Sequence, residues 1–161
     1  MIRHVRTEDA AQICEIYNHY VLETVVTFEE VAVPIAEMTQ RVADITTRLP
    51  WLVWEEDGAI LGYAYASPWK ARAAYRHSVE ASIYLPAHAT RRGIGSSLYR
   101  ALIEELRTRN IHALIGGAVL PNPASVALHE RLGFRQVAHF SQVGFKFGKW
   151  VDVAYWQLLL S

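Results

Sequence analysis

The sequence predicts a mixed sheet with helices packed on it, of the α+β or α/β class, in one domain spanning residues 1–161. Three observations lead there. Apolar residues alternate with period two in several short runs and recur at helical spacing in others, and the two kinds of run interleave along the chain. No linker, internal repeat or low-complexity tract interrupts them. At 161 residues the chain can bury a real core without help from a metal or a partner.

IRHVR (2–6) is a short strand, after which Thr7 can cap a helix whose apolar positions Ala10, Ile13, Ile16, Tyr17 and Tyr20 share a face. VVTFEE (25–30) returns to β propensity. Pro34 suits the first turn of a second helix that runs to about Arg48, before Pro50. WLVWE (51–55) and ILGYAYA (60–66) are strands separated by the turn EDGA. PWKARAAYRH (68–77) has no period and reads as a loop. SVEASIYL (78–85) is a strand with Val79, Ala81, Ile83 and Leu85 on one face and Glu80, Ser82 and Tyr84 on the other, ended by Pro86. Ile94, Leu98, Leu102 and Leu106 form the stripe of a helix that starts near Gly93 and stops near Asn110. A strand HALIGGAV (112–119) follows, then a short helix NPASVALHERL (122–132) closed by Gly133. RQVAHFSQV (135–143) and VDVAYWQLLL (151–160) are long enough to pair as strands, with FKFGKW (145–150) between them.

Sixteen Lys and Arg balance sixteen Asp and Glu, so the molecule has no bulk attraction for nucleic acid or an anionic membrane, and any anion site must be local. One cysteine, Cys14, precludes an internal disulfide framework and lacks a base partner that would make it a nucleophile. The start MIRHVRTED holds no apolar stretch for export or membrane insertion, which predicts a cytoplasmic protein. Seven histidines include no HExxH pair, so no metal is expected. Five Trp and eight Tyr suggest a cavity, a subunit interface or a well-filled core.

The stretch TRRGIGS (90–96) stands where a strand gives way to a helix. Unpaired N–H groups at that helix start, glycines that let a ligand approach the backbone, and Arg91 and Arg92 together suit a phosphate. A tight turn before a surface helix explains the same residues. Neither a Walker loop nor a complete dinucleotide fingerprint is present, so a different phosphate-bearing ligand is expected.

ATRRGIGSSLYRAL, followed by PNPASVALHERLGF, resembles the acetyl-CoA-binding half of the GNAT superfamily of N-acetyltransferases. PWKARAAYRHSVEASIYL and VGFKFGKWVDVAYWQL are similar to the phosphinothricin and methionine sulfoximine acetyltransferases within it, and with YNHYV and TFEE the resemblance covers nearly the whole chain. It implies the GNAT fold, a central mixed sheet flanked by helices, and transfer of acetyl from acetyl-CoA to the amine of a small amino-acid analogue. Acetylation of a protein or peptide amine, or a non-catalytic coenzyme A module, would use the same cofactor half. The resemblance gives the backbone of Ile83, Tyr84 and Leu85 to the pantetheine arm, with an N–H near Leu85 for the oxyanion. It gives Arg91, Arg92, Gly93, Ile94, Gly95 and Ser96 to the pyrophosphate, with Thr90 standing where the family usually has Gln or Arg. Asn122 matches a cofactor-contacting asparagine, while its spacing also fits a helix cap.

Glu80 is the candidate base. A carboxylate amid an apolar strand is costly unless it faces water, a cation or a task, and the resemblance favours proton removal from the amine, directly or through water. His129 falls where many superfamily members have a tyrosine proposed to protonate the departing thiolate; packed support within its helix is the other reading. Phe28, Trp69 and Tyr75 can form an apolar wall, and Arg72 and Arg76 can bind an acceptor's acidic oxygens. The resemblance also places FKFGKW near the pocket, with Phe147 where one phosphinothricin subgroup has histidine, and implies a homodimer.

Overall fold

A computed structural model describes all 161 residues, with seven strands in one sheet of order β1-β2-β3-β4-β5-β7-β6. In chain order these are β1 (Ile2–His4), α1 (Ala10–Glu23), α2 (Ile35–Thr46), β2 (Trp51–Glu56), β3 (Ala59–Pro68), β4 (Ser78–Tyr84), α3 (Ile94–Arg107), β5 (Ala113–Leu120), α4 (Pro123–Arg131), β6 (Arg135–Lys146) and β7 (Lys149–Leu159). Only β4 and β5 run parallel; every other neighbouring pair is antiparallel. The mixed sheet with flanking helices is the expected fold class.

Period-two alternation sorts the strand residues to two cores. Leu52, Ala64, Val79 and Ala81 face one side of the sheet, where the α3 stripe Ile94, Leu98, Leu102 and Leu106 buries against them. Trp51, Val53 and Tyr63 face the other, where Ile13, Val21, Met38 and Val42 bring α1 and α2 down. Cys14 is buried in this second layer and burial pushes its thiol pKa up, so it carries no reactive thiolate.

The expected strand at 25–30 is not formed: the chain bends through this stretch without a ladder. Its backbone is engaged locally instead, with Val26 N–H donating to Thr24 Oγ1 at 3.1 Å and the Thr27 carbonyl accepting from Lys146. FKFGKW is not a separate connection but the end of a hairpin, because β6 runs through Lys146 and β7 resumes at Lys149.

The β4–β5 ladder is the feature that makes a site. It pairs Ser78–Ala81 with Ala113–Gly116 and then stops, although β4 continues to Tyr84 and β5 to Leu120. The strands part beyond Ala81, and the backbone of residues 82–84 keeps its β3 partners while its other edge faces a gap.

Candidate active site

A cavity of about 800 Å³ fills the gap. Ser82 to Leu85 line one wall, Gly117 to Val119 and Asn122 the opposite one, and Val26, Thr27, Phe28, Phe140 and Tyr155 close an end. Glu80 lies in this lining and is its only Asp, Glu, Lys or Arg. The carboxylate is close to β5 because Gly117 has no side chain: a Cβ there would stand 3.5 Å from Glu80 Oε2 and 3.0 Å from the Tyr155 ring. Burial among these rings pushes the Glu80 pKa up, and the Lys70 ammonium pulls part of the way back. A half-buried carboxyl group with a raised pKa is a stronger base than one in water.

At the other end, α3 starts beside β4. Ile94 is 1% exposed, and a Cβ at Gly95 would lie 3.5 Å from Leu85 Cδ1. Arg91 takes φ +64° and Gly93 φ +78°, which turns the loop tightly into the helix. None of the six N–H groups from Arg91 to Ser96 donates to an acceptor within the protein, and neither does that of Leu85. Seven unsatisfied donors at the strand end and helix start suit an anion and a developing oxyanion, which is the chemistry acetyl-CoA requires. The arginine side chains divide: Arg91 is free, whereas Arg92 Nη2 is held by both Glu56 carboxylate oxygens at 2.9 Å. Of the two arginines expected to reach a phosphate, only Arg91 has no partner within the protein.

Asn122 fulfils its cap reading, accepting from Ser125 N–H at 3.2 Å, and also lines the cavity. His129 is 3% exposed. Its Nδ1–H donates to the Ser125 carbonyl at 2.7 Å, so Nε2 accepts from the Tyr99 hydroxyl at 2.9 Å. Burial lowers its pKa, keeping the ring neutral, and it packs on Trp156 and Phe134. His129 also lines the cavity, with both ring nitrogens engaged within the protein by Ser125 and Tyr99. Gly116 makes the room, since a Cβ there would meet His129 Nε2 at 2.2 Å.

Phe28 lines the cavity. Arg72, Tyr75 and Arg76 do not: they lie on the exposed 69–77 loop, with Arg76 Nη1 turned to the Ala73 carbonyl at 3.1 Å. Trp69 stands one layer back, edge-on to Tyr155 at 5.5 Å. Phe147 is 56% exposed at the hairpin turn and outside the lining. Sequence reasoning missed Tyr155, Thr27, Tyr20 and Lys70. The Gly116–Gly117 doublet inside a strand was a usable signal for close approach at this point. Tyr20 donates its hydroxyl to the Leu85 carbonyl, which ties α1 to the end of β4.

No helix is long and apolar enough to cross a membrane, and no cluster of three His, Cys, Asp or Glu side chains is arranged to hold a metal ion.

Residues 2–155 match the family model of the acetyltransferase (GNAT) domain. The chain is 37% identical to the phosphinothricin N-acetyltransferase of Streptomyces viridochromogenes, over 97% of this chain and 85% of that protein. It is also 37% identical to the L-methionine sulfoximine/L-methionine sulfone acetyltransferase of Salmonella typhimurium, over 99% and 94% of the two chains. Among solved structures, a GNAT superfamily phosphinothricin acetyltransferase from Sinorhizobium meliloti in complex with AcCoA superposes with a TM-score of 0.96 at 39% identity, covering 100% of this chain and 88% of that one. A parted β4–β5 pair, a row of free donors at the start of α3 and these matches lead to one conclusion: the chain belongs to the GNAT acetyltransferases and is an acetyl-CoA-dependent acetyltransferase related to the phosphinothricin and methionine sulfoximine enzymes.

Proposed function

We propose that the enzyme acetylates the amine of a small amino-acid analogue, of the phosphinothricin, methionine sulfoximine or methionine sulfone type, with Glu80 as general base. The observation that carries this reading is a single carboxylate with a raised pKa in a cavity otherwise walled by apolar and neutral groups. An ammonium group entering that cavity finds one countercharge, and that group is also the proton acceptor. The amine gives its proton to Glu80, directly or through one water. Its nitrogen then attacks the thioester carbon, the carbon–sulfur bond breaks, and the products are the N-acetyl amide, the thiol and a proton released to solvent.

The free N–H of Leu85 stabilises the charge that develops on the carbonyl oxygen. The N–H groups of Arg91, Arg92, Gly93, Ile94, Gly95 and Ser96 hold the pyrophosphate, with Ile83, Tyr84 and Asn122 along the pantetheine arm. Because the cavity lining contains no cation, an acceptor's acidic group is met by Lys70 of the 69–77 loop, the cation that already acts on Glu80. The test is release of free thiol with phosphinothricin, methionine sulfoximine, methionine sulfone, ordinary L-amino acids and short peptides as acceptors. One of the analogues is expected to give the highest kcat/KM; a peptide outperforming all of them would overturn the acceptor class.

Two copies pair through the β6–β7 hairpin in this reading. Phe145 and Trp150 pack with ring centroids 4.7 Å apart and are 54% and 63% exposed, with Val143 and Phe147 beside them in sequence similarly bare. An apolar surface of this kind favours burial against a second copy. Sedimentation velocity is expected to show a dimer that Trp150→Glu converts to monomer, and a monomeric native enzyme at assay concentration would contradict it.

A further inference from the structure

Residues 24–34 join α1 to α2 without a regular element, yet Val26, Thr27 and Phe28 form part of the cavity wall. A wall of irregular chain holds a substrate only if other residues hold the wall. Here the fixings converge on three positions. The Tyr17 hydroxyl lies 2.8 Å from Thr27 Oγ1 and donates to the Glu29 carboxylate. Arg41 grips the same carboxylate with two parallel bonds of 2.9 and 2.7 Å, and Glu37 holds Arg41 Nη2 at 2.9 Å. From the opposite side Lys146 Nζ donates to the Thr27 carbonyl at 2.8 Å. The Phe28 ring rests over Gly144, where a Cβ would come within 2.2 Å of Phe28 Cζ.

General support of the fold does not require this convergence. The α1–α2 pair is already joined by Ile13, Val21, Met38 and Val42, and the far end of the connection is closed by Asn18, which bonds the Val33 carbonyl at 3.0 Å and its N–H at 2.8 Å. Lys146 is the more telling member. It is 1% exposed, has no carboxylate within ion-pair reach, and makes its one hydrogen bond to the wall. A charge at that depth costs stability, and burial pushes its pKa down while Glu30 and Glu29 oppose the shift.

We propose that Tyr17, Glu29, Arg41 and Lys146 are positioning residues that fix the Thr27–Phe28 wall and thereby set the size of acceptor the enzyme selects. This rests on reading the cavity as the acceptor site. None of the four lines the cavity. A rigid apolar wall discriminates acceptors that differ by one methylene by about 10-fold to 200-fold. Once released, the wall yields to the longer acceptor and holds the shorter one less well.

The experiment compares native enzyme with Tyr17→Phe, Glu29→Gln, Lys146→Met and Gly144→Ala. The acceptor is whichever amine the native enzyme acetylates fastest, together with its homologue longer by one methylene. Each variant is expected to raise the acceptor KM by about tenfold and to bring the kcat/KM ratio of the two homologues towards one, with the acetyl-CoA KM within about twofold of native. Unchanged acceptor KM and unchanged ratio in folded variants would overturn the proposal. So would equal rises in both KM values alongside a lowered Tm, which is what general structural support produces. Should Lys146→Met not fold, Tyr17→Phe removes one oxygen and no carbon and decides alone. If the best acceptor proves to be a peptide, the acceptor class proposed above fails, and the same ratios measured on that peptide still decide the role of the wall.

Discussion

Glu80→Gln is expected to lower acetyl transfer by roughly 10² or more while the folded protein still binds acetyl-CoA. The amide keeps the size of the carboxyl group and one oxygen acceptor, so the cavity keeps its shape, but it cannot take a proton. The same change is expected to raise stability. Burial lifts the Glu80 pKa in the folded chain above its unfolded value, so ionising it costs the folded state more than the unfolded one. That penalty is absent below the ordinary glutamate pKa of about 4.3 and grows as pH rises through the folded value. Thermal unfolding at pH 7 should therefore show a higher Tm for Glu80→Gln than for native enzyme, with the difference vanishing in acid. A variant that is both inactive and less stable at neutral pH would make Glu80 an architectural residue.

Gly93→Val is expected to weaken acetyl-CoA binding by about tenfold or more in a protein that still folds. Gly93 sits at φ +78°, ψ +3° as the residue before α3, in the left-handed region that a β-branched side chain enters at a cost of about 1–2 kcal/mol. Nothing lies within 4 Å of a Cβ at this position, so the side chain meets no core atom and stands in open space amid the run of free N–H groups from Arg91 to Ser96. Relieving the strain requires turning peptides that present those donors. Either outcome blocks or disperses the cradle, and the strain itself should lower Tm by about 2–8 °C. Isothermal titration of the folded variant gives the answer, and native affinity would remove the pyrophosphate from this loop.

Periodicity and local chemistry made part of the fold and of the site legible in the sequence. Ile94, Leu98, Leu102 and Leu106 announced a buried helix face, and all four are at most 1% exposed. The alternation in SVEASIYL put Glu80 opposite Val79 and Ala81, the face from which it enters the cavity. Periodicity states which face a residue occupies and not which distant element lies against that face. Arg92 looked available for phosphate until Glu56, 36 residues earlier in the chain, took its guanidinium. His129 looked titratable until Tyr99 and Ser125 satisfied both nitrogens. The β propensity of VVTFEE lost to tertiary bonds from Tyr17, Arg41 and Lys146, none of which its own residues could reveal. Arg72 and Arg76 had the right chemistry for an acidic acceptor, yet their loop carries them past the cavity to its outside.

The central claim is that Glu80 accepts the amine proton, and the pH dependence of kcat/KM for the best acceptor, measured in native and Glu80→Gln enzymes, tests it most directly. In native enzyme the raised Glu80 pKa and the free-amine fraction both make the rate climb with pH, Glu80 titrating on the acidic limb and the amine above it. In Glu80→Gln that acidic limb should disappear, leaving a rate depressed by about 10² at neutral pH that recovers in part as alkaline solution supplies amine already deprotonated. Native rates for Glu80→Gln across the whole series would contradict the account and leave deprotonation to solvent.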